Sequence, residues 1–70
     1  MNELEKLRVL IPHWIEHNEE HAGEYRRWAE DVNEVNADLL AAVEALQKVN
    51  QTLGVALEKL GGEKTHAHSH

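Results

Sequence analysis

The sequence predicts an all-α protein, and three observations carry that expectation. Two segments place apolar residues at three- and four-residue steps. Good helix formers fill the rest of the second segment, and a glycine pair ends it.

In the first segment Leu4, Leu7, Ile11, Trp14, Tyr25, Trp28 and Val32 share a helical face. Pro12 interrupts it, lacks a backbone donor and meets the carbonyl of Arg8. A kink or break near residues 8–12 is therefore expected, with a short N-terminal arm and a main helix running from Pro12 to about Asp31. The second helix is expected over about Ala37 to Leu60, with Leu39, Val43, Leu46, Val49, Leu53, Ala56, Leu57 and Leu60 as its stripe. Gly54 costs that helix about 1 kcal/mol relative to alanine, a cost that a close approach of two backbones would explain. Gly61-Gly62 ends it. Between the helices Asn33 and Asn36 are candidate caps or left-handed turn residues. A short turn there gives an antiparallel helical hairpin. One unbroken rod is the rival, because no glycine or proline forces the break.

The chain has 70 residues and no cysteine, so it makes one small domain that no disulfide staples. Residues 1–62 are expected to form the helical dimerisation and metal-binding domain, and residues 63–70 a disordered histidine-containing tail. Two helices alone leave apolar stripe uncovered, so a homodimer is expected, either a four-helix bundle or a coiled coil. Acidic residues outnumber basic ones 13 to 7, for a net charge of -6. Such a surface repels phosphate backbones, which argues against a nucleic-acid partner. No membrane span and no signal peptide are expected, so cytoplasmic residence is the default.

Six histidines fall into two sets, His13, His17 and His21 in the first helix and His66, His68 and His70 in the tail. On a wheel at about 100° per residue with Trp14 as zero, Leu7 and Tyr25 lie near 20°, Val32 near 0° and Trp28 near -40°. His21 lies near -20° and Asn18 near 40°, inside this apolar face, with His17 near -60° and His13 near -100°. Polar groups in such a seam need partners, which a metal or a symmetry-related helix would supply. Histidines four apart stack on one face and can grip one ion together. His13 and His21 are about 12 Å apart along the axis, so all three of one chain do not easily share it. Further ligands are expected from a second chain, water or a carboxylate. Glu24 is a weaker candidate ligand, as is Glu16, and Glu16 and Glu20 are candidate acceptors that orient the imidazoles. Alternating histidines in the tail bind nickel, copper or zinc. The same alternation also fits a purification-tag remnant or the start of a longer histidine-rich tail.

Both His13-Trp14-Ile15-Glu16-His17 and His17-Asn18-Glu19-Glu20-His21 match the H-x-x-E-H zinc-peptidase pattern. A helical pair of this size offers no substrate cleft, and no activated nucleophile or phosphate loop is visible, so no enzyme is expected. Imidazole suits Ni(II), Zn(II) and Cu(II) alike, and chemistry alone does not choose among them.

The run from His13 to His21, with its aromatic Trp14 and a histidine-containing tail, resembles the CooJ-type nickel chaperones. These accompany the nickel–iron–sulfur carbon monoxide dehydrogenases. The resemblance implies a helical homodimer with Ni(II) at its interface, His13, His17 and His21 as ligands and Trp14 as the motif aromatic. It also implies a recipient metalloenzyme such as a carbon monoxide dehydrogenase. The alternative is a structural dimerisation module whose buried Asn18 and His21 belt sets register with no physiological metal.

Overall fold

A computed structural model describes residues 2–64. The expected tail ligands His66, His68 and His70 lie outside the described residues, as does the expectation of disorder for most of that tail. All regular structure among the described residues is helical: α1 over Glu3–Asp31, a short 3-10 turn over Asn33–Val35, and α2 over Asn36–Lys59.

α1 starts where Asn2 caps it, its side chain accepting from the Glu5 amide at 2.8 Å. Glu3 and Glu5 then suit the positive end of the helix dipole. The helix continues through Pro12, so the break expected there is not formed and the N-terminal arm is part of α1. Two features hold the first turns against the rest of the chain. Ile11 is one of the few buried residues. Beyond it, the Arg8 side chain donates to the Gly62 carbonyl at 2.7 Å and the Gly61 carbonyl at 3.4 Å, fixing the start of α1 to the end of α2. Pro12 has no N–H for the carbonyl of Arg8, four residues back. The Lys64 amide takes that place, donating to the Arg8 carbonyl at 3.1 Å.

The turn uses no left-handed residue, since among the described residues positive φ occurs only at Gly61 and Gly62. Asn36 caps the end of α1 instead, its Nδ2 donating to the Ala29 carbonyl at 2.9 Å. α2 ends as the glycine pair requires. The Gly62 amide bonds the Leu57 carbonyl at 2.9 Å and the Gly61 amide the Glu58 carbonyl at 3.0 Å, the two bonds of a Schellman motif. Gly54 faces open space, with nothing within 4 Å of an added Cβ. A close backbone approach is therefore not its reason.

Hydrogen bonds pair Arg8 with Gly62, Asn18 with Asn50 and Asn36 with Ala29, so α1 and α2 lie alongside each other in opposite senses. α1 turns Ile11, Ile15, Asn18, Ala22, Tyr25 and Ala29 inward; α2 turns Leu39, Val43, Leu46, Asn50, Leu53 and Leu57 inward. Each set alternates steps of three and four, the heptad spacing of a coiled-coil seam. Among the described residues only Ile11, Ala22, Ala29 and Val43 are buried, so one chain builds a thin core.

Candidate metal centre

The seam differs from the expected apolar face, and the histidines move with that difference. On the wheel used above, Ile11 and Ala29 lie near 60°, Ala22 near 80° and Ile15 near 100°. The buried side of α1 is thus centred about 60° away from Trp14. Trp14 and Trp28 stay 43% and 53% exposed. His21 is not in the buried seam either: its side chain is 56% exposed. Ala22 occupies the place that the histidine was expected to take. Asn18 is in the seam, and its partner comes from the same chain. Asn18 Nδ2 donates to Asn50 Oδ1 at 2.9 Å, and Asn50 Nδ2 donates to the Ile15 carbonyl at 3.2 Å. Asn50 replaces the expected Val49, which is 44% exposed.

A second heptad stripe runs along α1 beside the seam: Leu7, Leu10, Trp14, His17, His21, Glu24 and Trp28. Leu7 and Leu10 are exposed like the two tryptophans. α2 carries a matching stripe of Ala42, Val49 and Ala56 beside its own seam. Both stripes are displaced from their seams by roughly 90° in the same rotational sense. Because the helices run oppositely, that places the two stripes on the same side of the pair. Leu40 and Val55, also exposed, fall on the other side. There the pair leaves an open groove floored by Ala22 and Leu46 and edged by Glu19, Arg26 and Gln51, and no histidine lines it.

Two imidazoles and Glu24 interrupt the apolar stripe, and a glutamate stands three residues on from each imidazole. His21 Nδ1 is 3.1 Å from Glu24 Oε1, and His17 Nδ1 is 3.6 Å from Glu20 Oε1. The His21 ring also stacks on Tyr25, with centroids 6.3 Å apart. In both cases the carboxylate addresses Nδ1 and leaves Nε2 turned away from it. A carboxylate on one ring nitrogen fixes the tautomer and raises the basicity of the other, the arrangement that surrounds metal-ligating histidines. Glu24, the weaker candidate ligand, thus lies beside His21 Nδ1. Glu20 takes the orienting place for which Glu16 was the other candidate; Glu16 is exposed. His13 is exposed on the flank of the stripe. Among the described residues no three His, Cys, Asp or Glu side chains converge on one point where an ion would sit. One chain thus carries two imidazoles, each beside a glutamate, on one exposed face.

No helix of the described residues is long and apolar enough to cross a membrane. No curated protein and no solved structure matches the chain significantly. Residues 7–60, which hold both heptad stripes and the three helix histidines, match the family described as Domain of unknown function (DUF8180), and the chain belongs to that family.

Proposed function

We propose that the protein is a nickel-binding metallochaperone or metal-storage protein, a carrier rather than a catalyst, working in the cytoplasm as a homodimer. The observation that carries this reading is the stripe on α1, where oriented His17 and His21 stand between Trp14 and Trp28. Exposed aromatic and leucine side chains in heptad register suit a second helix. A second helical hairpin docked on this side makes a four-helix bundle and brings further imidazoles to His17 and His21. Ni(II) is the favoured ion, with Zn(II) and Cu(II) as alternatives. The recipient, on the resemblance drawn above, is a metalloenzyme such as a carbon monoxide dehydrogenase.

The test is calorimetric titration of Ni(II) into the full chain carrying His66→Ala, His68→Ala and His70→Ala, with and without His17→Ala and His21→Ala. The expected result is about one ion per dimer, lost when the two helix histidines are removed. Absence of binding to the tail variant overturns the reading.

A second reading rests on the Asn18–Asn50 bond in the seam. Buried asparagine pairs set register in coiled coils at a cost in stability. Here the chain is a dimerisation module, and its histidines are surface residues. It predicts that substituting Asn18 and Asn50 changes the oligomeric state while substituting His17 and His21 changes nothing.

A further inference from the structure

We propose that a second copy docks with its α2 laid over α1 and its α1 over α2, so that the two-fold axis of the dimer runs along the helices. The arrangement rests on the homodimer reading above and adds which helix covers which, and in what register.

The face has the size that a partner copy needs. The helix pair is a slab of 46 × 25 × 15 Å, and one broad side carries both outer stripes. α2, with 24 residues, is about 36 Å long, and two helices side by side are about 20 Å wide. That is roughly 700 Å² per copy, close to the ~800 Å² per partner of a standard interface. Leu7, Leu10, Trp14 and Trp28 of α1 and Val49 of α2 stand exposed on it.

With helices aligned as in a bundle, this face meets its copy in two symmetric ways. An axis across the helices puts α1 on α1 and α2 on α2. An axis along them puts α1 on α2 twice. Side-chain size separates the two. The stripe of α1 is bulky, whereas Ala42, Ala45, Val49, Thr52 and Ala56 follow one another along the outer side of α2, none larger than valine. An axis across the helices therefore stacks tryptophan and leucine ridges on each other and leaves alanines facing alanines. An axis along them sets each ridge on small residues, the alternation that fills a core.

The register follows from the hairpin itself, because an axis along the helices keeps every residue at its own level. Arg8 is level with Gly62 and Asn18 with Asn50, as their hydrogen bonds show. Counting from these pairs, Trp14 comes level with Ala56 and Trp28 with Ala42, to within about 3 Å. The match holds at both ends because the two tryptophans and the two alanines have the same separation, about 21 Å along the axis. Each tryptophan thus lands on an alanine of the second copy.

Charge favours the same arrangement. Glu20 stands on the edge of α1 beyond its stripe and Lys48 on the edge of α2 beyond its own, both exposed and at one level. With the axis along the helices these edges adjoin, so Glu20 faces Lys48 of the second copy, and the pair is repeated by symmetry. An axis across the helices, midway between Trp14 and Trp28, brings Glu20 toward Glu20 and Lys48 toward Lys48 instead. Like charges so placed oppose association.

The test uses the absence of cysteine from the chain. Glu20→Cys and Lys48→Cys are made singly in the full chain, and each protein alone and an equal mixture are treated with a short bismaleimide at concentrations where sedimentation shows dimers. Circular dichroism checks that both substitutions leave the helix content intact. The expected result is a covalent dimer in the mixture whose intact mass contains one chain of each kind, with at least about tenfold less from either protein alone. A covalent dimer from Glu20→Cys alone places α1 on α1 and overturns the arrangement. Dimers that none of the three samples cross-links overturn it too, while leaving the homodimer reading in place. A chain that stays monomeric at every concentration overturns both.

Discussion

Substituting Trp14 by alanine tests whether the outer stripe of α1 is where a second copy docks. Trp14 is 43% exposed in the single chain. On a side chain of up to ~250 Å² that is about 110 Å² open to water. At about 25 cal/mol per Å², covering it contributes about 2.7 kcal/mol per copy, and a symmetric dimer covers it twice. Full coverage makes the substitution worth about 5 kcal/mol, or a dissociation constant raised about ten-thousandfold; half coverage makes it about a hundredfold. Sedimentation equilibrium over a range of concentrations reads this directly, with circular dichroism reporting helix content in the same samples. Leu40→Ala is the control. Leu40 is comparably exposed, at 42%, but stands on the side opposite the stripe, so its removal leaves the constant within about twofold. A Trp14→Ala protein that dimerises as the parent does, or a Leu40→Ala protein that fails to, refutes the assignment of the face.

Three further outcomes follow from single contacts. Asn50→Ala removes both bonds that Asn50 makes and strands the Asn18 amide in the seam, so urea unfolding should show a loss of about 1–3 kcal/mol. Gly62→Ala puts a side chain on a backbone at φ 90°, and the same assay should show a loss of about 1 kcal/mol even though nothing lies within 4 Å of the new Cβ. Glu24→Gln keeps a group beside His21 Nδ1 but removes its charge, so Ni(II) affinity of the tail-substituted protein should fall about tenfold with stability unchanged.

The helical period, the glycine stop after Leu60 and the Asn18 position were legible in the sequence because each depends on residues close along the chain. The phase of α1 was not. Its two heptads run one residue apart: Leu7 beside Arg8, Leu10 beside Ile11, Trp14 beside Ile15, His21 beside Ala22, Trp28 beside Ala29. A single wheel averages them, and the large aromatic residues pull the average toward the outer stripe. The buried seam is marked instead by Ala22 and Ala29, whose small side chains carry little hydropathy but let α2 come close. Asn50 escaped for a similar reason, since its neighbour Val49 continues the apolar pattern equally well. The persistence of α1 through Pro12 was beyond reach for another reason. What compensates the missing donor is Lys64, more than fifty residues away in the chain. Which glutamate holds which histidine did follow i, i+3 spacing, although two rows of acids flank the imidazoles and only side-chain geometry selects Glu20 and Glu24.

Two interlaced heptads on one helix meet different chemical ends, and that difference yields a last prediction. The inner heptad carries an amide, the half-buried Asn18, and bonds it within the chain. The outer heptad carries two imidazoles whose Nδ1 atoms face glutamates and whose Nε2 atoms are left for whatever covers the stripe. If a second copy covers it without metal, those nitrogens lose water and gain no fixed partner, which costs about 1–3 kcal/mol for each one left unsatisfied. A metal ion removes that cost and adds bonds from both chains. Metal binding and dimerisation must then favour each other, by the same factor in both directions. In the tail-substituted protein, saturating Ni(II) should tighten the dimer at least about tenfold, and the ion should bind more tightly at protein concentrations where the dimer predominates. With His17→Ala and His21→Ala both effects should vanish, and the metal-free dimer should strengthen because two polar interruptions of an apolar stripe are gone. Equal dimer constants with and without Ni(II), in a protein that still binds the ion, would place the imidazoles away from the contact between copies.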